Sequence, residues 1–235
     1  MATPQEIREM SIHDLGKFFE QSIIAHCDDS IAISKAEDAV KFNMAGLYCW
    51  PHEIEMLKPI LAGTDLWFGG GVAFPLGQEY PDIKADAAKR LWDKGFTNID
   101  FVMNHNALRC GRKEFVEEEV EKMRKAVPDA VLKMIIECCV LTDDEIDYAC
   151  DVAIRNKIDF VKSSTGQMAG PTFKQMTRIV DNMHAAGLGA KVAGIKAPHP
   201  QNAMVTLMAG VDRIGTQNAG IILKGFQELR DRGIF

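Results

Sequence analysis

Several features that would place the chain in a special class are missing from it. No run of about 18 apolar residues occurs, so no membrane-spanning helix is expected. The first residues, MATPQEIREM, lack the basic and then apolar pattern of a secretory leader, and a cytoplasmic protein is expected. Basic residues (27) are outnumbered by acidic ones (33), giving a formal net charge of -6, so the electrostatic footprint of a nucleic-acid binder is absent and neither nucleic acid nor a membrane surface is an expected partner. The six cysteines form no CxxC pair and two of them, Cys138 and Cys139, are adjacent, which suits reduced thiols better than a disulfide framework. The six histidines show no HExxH or other short ligand spacing; no metal and no cofactor are expected.

The remainder is an ordinary soluble composition, 47% hydrophobic and 26% charged over 235 residues, with ample chain for a large core. From about residue 22 short apolar runs alternate with helical patterns. The expected strands are SIIAHC (22–27), GLYCW (46–50), LWFGGGVAF (66–74), NIDFVMN (98–104), VLKMIIEC (131–138), DFVKSS (159–164), AKVAGI (190–195) and DRIGT (212–216). Between them, segments such as KEFVEEEVEKMRKAV (113–127) and PTFKQMTRIVDNMHAAG (171–187) place apolar residues three or four apart. Thr142 followed by Glu145 reads as a capping box, and Pro171 stands near a helix start. Strict βα alternation with strands apolar on both faces predicts a parallel sheet, and eight such units predict closure into a (β/α)8 TIM barrel rather than an open doubly wound sheet. One domain is expected over residues 1–235: an N-terminal helix within 1–21 that caps the bottom of the barrel, and the barrel over 22–235.

In this fold, chemistry sits at the C-terminal ends of the strands, so charges late in strands carry weight. Asp100, Lys133, Lys162 and Lys191 fall on four successive expected strands, with Glu137 further along the fifth. Lys133 to Lys162 and Lys162 to Lys191 are both intervals of 29 residues, which predicts three amines at similar height in one cavity. Mutual repulsion and burial would then lower at least one amine pKa well below about 10.4, leaving a neutral nucleophile able to form a Schiff base, with Asp100 as proton relay. The competing reading is a structural network of lysines paired with carboxylates; three lysines against two acids weigh against it.

The blocks GVAFPLG (71–77), IDFVMNHNAL (99–108), LKMIIECCVLTDDEI (132–146), DFVKSSTG (159–166) and GVDRIGT (210–216) occur in the order seen in the deoxyribose-phosphate aldolase family, and the chain resembles that family from about residue 22 to about 223. The resemblance implies a class I lyase that cleaves 2-deoxyribose 5-phosphate to acetaldehyde and glyceraldehyde 3-phosphate. It implies Lys162 as the Schiff-base lysine, Lys191 as the residue that lowers its pKa and Asp100 as the acid of the proton relay. It also implies a cysteine near the cavity at Cys49, for which packing is at least as good a reading; Lys133, Asn104 and Thr165 are further candidates for substrate contact. Departures from the family pattern are expected to matter. Aligning IAHC with the family's IDHT puts Ala25 in place of an acid. AGIKAP (193–198) replaces GGIRT, and Gln217 and Asn218 replace a serine pair, although Gly194, Lys196 and Gly215 remain available to a phosphate. The expected partners are therefore a small sugar or sugar phosphate and an aldehyde, with a homo-oligomer allowed. The alternatives are an aldolase for a different ketose or branched sugar, or a non-catalytic sugar-binding relative.

Overall fold

A computed structural model describes residues 3–24, 28–197 and 199–234, with only the backbone of Pro4. Eight parallel strands run in chain order around a closed barrel: β1 (Phe19–Ser22), β2 (Gly46–Tyr48), β3 (Trp67–Val72), β4 (Asn98–Val102), β5 (Val131–Ile135), β6 (Phe160–Lys162), β7 (Gly189–Ala193) and β8 (Arg213–Thr216). The helices are α1 (Pro4–Glu9), α2 (Ile12–Gly16), α3 (Asp29–Lys41), α4 (Ile54–Leu61), α5 (Pro81–Asp93), α6 (His105–Arg109), α7 (Lys113–Ala126), α8 (Asp143–Arg155), α9 (Phe173–Ala185), α10 (His199–Met208) and α11 (Ala219–Asp231). This is the expected (β/α)8 barrel. Two compact units make up the chain, one of Met1–Phe68 with Ile195–Phe235 and the other of Gly69–Gly194.

In the first unit, the single N-terminal helix expected within 1–21 is instead two short helices. Ser11 and Asp14 form a second capping box only a few residues after that of Thr3 and Glu6, so the chain restarts a helix where periodicity alone would continue one. Strand β1 then begins at Phe19 and not at Ser22. Its neighbours are β2, with Glu20 opposite Gly46, and β8, with Glu20 opposite Gly215. Of the expected strand 22–27, Ser22 ends β1 and residues 25–27 lie outside the described residues. The core of this unit holds Leu15, Phe19, Leu47, Leu57, Ile214, Ile222 and Phe226, all fully buried.

In the second unit, β4 to β7 alternate cleanly. Ile99, Phe101, Leu132, Met134, Val161 and Ala190 form a buried apolar face. Asn98, Asp100, Lys133, Phe160, Lys162 and Lys191 share the opposite one, because residues two apart in a strand point the same way. The Thr142 capping box opens α8, and Thr172 with Gln175 makes another at α9, one residue beyond Pro171. The loop after β3 and the end of β4 are tied together by one buried ion pair. Lys84 Nζ donates to Gly77 O (2.8 Å), Val102 O (2.9 Å) and Glu119 Oε2 (2.6 Å), while Glu119 Oε1 accepts from Asn104 N (2.7 Å). Burial pushes the Glu119 carboxyl up to about 7, against the opposing pull of Lys84. Breaking such a pair from one side strands a charge. Lys84→Met or Glu119→Leu alone is expected to lower the unfolding free energy by about 3–5 kcal/mol in urea titrations, and the double change to recover most of that loss. Simple additivity of the two losses would show that the pair is not coupled.

Candidate active site

The polar face of β4 to β7 is stepped. Asp100 is level with Lys133, and Lys133 with Phe160, which in turn is level with Gly189. One step further along, Ile135 is level with Lys162, and Lys162 with Lys191. Equal spacing therefore places Lys162 and Lys191 side by side as expected. It fails for Lys133, which lies two residues, roughly 6.6 Å of strand, before the level of Lys162. The reason is local. Residue spacing counts loop and helix length, whereas level is set by which backbone groups pair.

Lys133 is fully buried, bonded to Asn98 Oδ1, with its ammonium 5.0 Å from the centre of the Phe160 ring. That ring lies where β7 offers no side chain: a Cβ on Gly189 would stand 2.3 Å from it. Lys133, Phe160 and Gly189 thus form one layer, and Lys162 and Lys191 the next. Lys133 acts on the site through its charge, and its amine is occupied by Asn98.

Asp100 reaches up to that second layer. Its Oδ2 accepts from Lys162 Nζ at 2.7 Å and from Lys191 Nζ at 2.9 Å. Burial of Asp100 would raise its pKa, but the cations of Lys162, Lys191 and Lys133, in that order, outweigh it and hold the carboxyl far below the usual carboxylate range. The expected trio is assembled within one hydrogen-bond shell. Lys162 is 7% exposed and Lys191 only 1%, so of the two amines on the shared carboxylate oxygen it is Lys162 that a small molecule reaches more readily.

The segment after Lys162 leaves the ladder but stays fixed. Ser163 N donates to Lys191 O (2.9 Å), Ser163 Oγ accepts from Ala193 N (3.3 Å) and Ser164 Oγ donates to Ala193 O (2.7 Å). Thr165 is held by Glu137, which receives both its N–H (3.1 Å) and its hydroxyl (2.5 Å). Asn104 spends its side-chain oxygen on the Ala107 N–H at the start of α6 (2.9 Å), a capping role beside any contact with substrate. Gly194 has a left-handed backbone (φ 82), and a Cβ there would meet the Gly170 Cα at 3.0 Å, so only glycine fits without displacement.

The remaining residues named from the sequence belong to the other unit. Cys49 is buried and its thiol is pushed up to about 12, by burial first and by the Glu53 carboxylate second, which makes it an inert packing group at neutral pH. Gly215 pairs with Glu20 across β1 and β8. Gln217 O accepts from Gln21 Nε2 (2.9 Å), and Asn218 N donates to Thr216 Oγ1 (3.1 Å) at the start of α11. Lys196 is exposed and its carbonyl accepts from Asn202 (2.7 Å). Ala25 lies outside the described residues.

The position of β1 corrects the expected loss of an acid. The pattern IDHT, an acid followed two residues later by a hydroxyl, is met in β1 by Phe19-Glu20-Gln21-Ser22, so the strand keeps a buried carboxylate in Glu20. The sequence signal for it is that alternation of acid and hydroxyl itself. Among the described residues, no three His, Cys, Asp or Glu side chains come together as a metal-ion site. No described helix is long and apolar enough to cross a membrane.

A scan against protein-family models found no match. Whole-chain comparison did. A Streptococcus pneumoniae protein (serotype 19F, strain G54) named deoxyribose-phosphate aldolase is 35% identical over 198 residues, 84% of this chain and 89% of that one. A Streptococcus gordonii protein of the same name is 29% identical over 212 residues, 90% of this chain and 96% of that one. Among solved structures, the tetrameric deoxyribose phosphate aldolase of Aeropyrum pernix superimposes with a TM-score of 0.85 at 24% identity, covering 96% of each chain, a likeness of fold. The identity shared with the pneumococcal protein over most of both chains, on a barrel that brings two lysines to one aspartate, establishes that this chain belongs to the deoxyribose-phosphate aldolase family.

Proposed function

We propose that the whole chain, residues 1–235, works as one aldolase domain that cleaves 2-deoxyribose 5-phosphate to acetaldehyde and glyceraldehyde 3-phosphate through a Schiff base on Lys162. The observation that carries the assignment is the shared Asp100 oxygen, with the more open amine on Lys162 and the buried one on Lys191. Two ammonium groups held on one carboxylate oxygen repel each other. When Lys162 gives up its proton, Lys191 and Asp100 remain as a neutral pair, so the site favours a neutral nucleophile next to a retained cation.

The neutral Lys162 Nζ attacks the C1 carbonyl of the open-chain sugar, and loss of water gives the iminium. A base then takes the proton of the C3 hydroxyl and the C2–C3 bond breaks; its electron pair moves into the C1–C2 enamine and C3 leaves as the aldehyde of glyceraldehyde 3-phosphate. Protonation at C2 and hydrolysis release acetaldehyde and restore Lys162. Asp100 is the group placed to pass these protons, through water where it does not touch the reacting atom. Lys162 is uncharged as the free amine before attack and again in the enamine after cleavage, and in those two states Asp100 loses the largest of the influences that depress its pKa; in the iminium that cation is restored. At the distal end, the N–H groups of Gly166 and Gly194 are the proposed contacts of the phosphate.

A different ketose or branched sugar is not favoured. The case for it rests partly on a missing acid, and Glu20 supplies one; the relatives matched over most of their length carry the deoxyribose-phosphate aldolase name. A non-catalytic role is likewise not favoured by the intact Lys162–Asp100–Lys191 trio.

Two experiments test the reading. Sodium borohydride added during turnover of 2-deoxyribose 5-phosphate is expected to inactivate the protein and to leave a single reduced adduct on Lys162 by peptide mass spectrometry; an active protein whose adduct maps to another lysine would refute the assignment. Lys191→Met leaves Lys162 closed in an ion pair with Asp100, which favours the charged amine. The acid limb of the kcat/KM profile is therefore expected to move to higher pH, with activity at pH 7 lowered. A uniform fall with no shift would make Lys191 a positioning group only.

A further inference from the structure

Glu137 is a buried carboxylate that the reaction itself does not use. It follows β5, is 1% exposed, and has a left-handed backbone (φ 51, ψ 56), a conformation that a long side chain adopts only where the surroundings impose it. Both of its carboxylate oxygens have partners. Oε2 accepts from Thr165 N and Thr165 Oγ1, and Oε1 from Cys139 Sγ at 3.8 Å. The Thr165 hydroxyl in turn accepts from Gln167 N at 3.1 Å.

Position along the strand explains why a side chain is needed here. Up to Lys162, β6 is held by its neighbours: Lys162 is paired with Ile135 and with Lys191. For one more residue the backbone of the β5 side continues the ladder, with Ile136 N donating to Lys162 O (3.0 Å) and Cys138 N to Ser163 O (2.8 Å). Beyond that the backbone of β5 turns away into a short 3-10 turn at Cys138–Val140, and the Glu137 carboxylate takes over as the strand partner of Thr165. The left-handed twist at Glu137 is what lets its side chain face back along the ladder while its chain departs.

The segment so held is a turn that ends next to a second left-handed glycine. Gly166 (φ 81) and Gly194 (φ 82) lie so close that a Cβ on Gly166 would stand 3.7 Å from the Gly194 nitrogen. The Thr165 and Gln167 N–H groups are engaged within the turn, so it is the adjacent Gly166 and Gly194 amides that such a left-handed concavity presents to an anion. We propose that Glu137 is a positioning residue that fixes the Thr165–Gln167 turn in the shape that receives the substrate's phosphate, and so sets the preference for a phosphorylated over a free sugar. This rests on the reading that the substrate is 2-deoxyribose 5-phosphate. Because Lys162 is secured by the ladder on both sides, Glu137 acts on recognition and not on Schiff-base formation.

The test uses two variants and two substrates. Glu137→Asp retains the charge and tolerates the left-handed backbone, but is one methylene too short to reach Thr165. Its KM for 2-deoxyribose 5-phosphate is expected to rise about tenfold, the loss of one charge-assisted hydrogen bond network, with kcat within about twofold. Its kcat/KM on unphosphorylated 2-deoxyribose should equal that of the wild type. Glu137→Gln retains the reach without the charge and is expected to fall between the two. An unaltered KM in Glu137→Asp, an equal loss on both substrates, or a full loss in Glu137→Gln with none in Glu137→Asp would overturn the proposal. Hydrogen exchange supplies a readout that needs no substrate: the Thr165 amide should exchange at least about tenfold faster in Glu137→Asp, as expected for a lost hydrogen bond of about 1.4 kcal/mol. Unchanged protection there would overturn the positioning role even if the wild type proved to act on another sugar.

Discussion

The site depends on one oxygen atom. Asp100 Oδ2 accepts from Lys162 and Lys191 together, and this requires β4, β6 and β7 to present three side chains from one face at fixed levels. Two ammonium groups drawn to one carboxylate oxygen repel each other and burial penalises their charge further, so the fold has to hold them together against that repulsion. A closed parallel barrel is well suited to that. Its ladder fixes the levels of β4 to β7, and the layer beneath is built of Lys133, Asn98 and Phe160. Gly189 belongs to the same constraint, since any side chain there would expel the Phe160 ring that faces the Lys133 ammonium.

The supporting contacts are placed where the ladder ends. Strand β6 spans only Phe160–Lys162, so Lys162 is the last residue of the strand proper. Ser163 is still paired through its backbone to Lys191 and Cys138, and from there side chains take over: two serine hydroxyls on the β7 side and the Glu137 carboxylate on the β5 side. The Lys84–Glu119 pair does the same service at the end of β4, holding Val102 and Asn104 just beyond Asp100. Buried charge is weak evidence for stability, because desolvation consumes most of the attraction. Just beyond β4 and β6 it fixes chain segments that strand pairing no longer holds.

Seven of the eight strands are legible as apolar runs between turn signals, and so is barrel closure, because both follow from burial on two faces. The first strand is not. Phe19-Glu20-Gln21-Ser22 has one apolar residue in four, and its polar groups look like surface, whereas Glu20 and Gln21 are buried in the barrel wall; the more apolar SIIAHC draws the assignment a few residues too far along. That slip alone produces the impression of a missing acid at Ala25. The trio of Asp100, Lys162 and Lys191 is legible because charge is costly in an apolar strand and must have a reason. The level of Lys133 is not, since equal spacing in sequence is silent about backbone register, and neither is the role of Glu137, whose left-handed backbone has no signature in a residue that usually favours helix.

One carboxylate shared by two amines is expected to leave one of them neutral near physiological pH while the other stays charged. The direct measurement is a pH titration of the lysine side chains by NMR, with isotope at the Lys Nζ and Cε positions and Lys162 and Lys191 assigned by single substitution. The account predicts two separate steps for the coupled pair, the first near neutrality and carried mainly by Lys162, the second at a pH several units higher and carried mainly by Lys191. Coincident titration of both amines at about 10.4, the value of an isolated lysine, would contradict it.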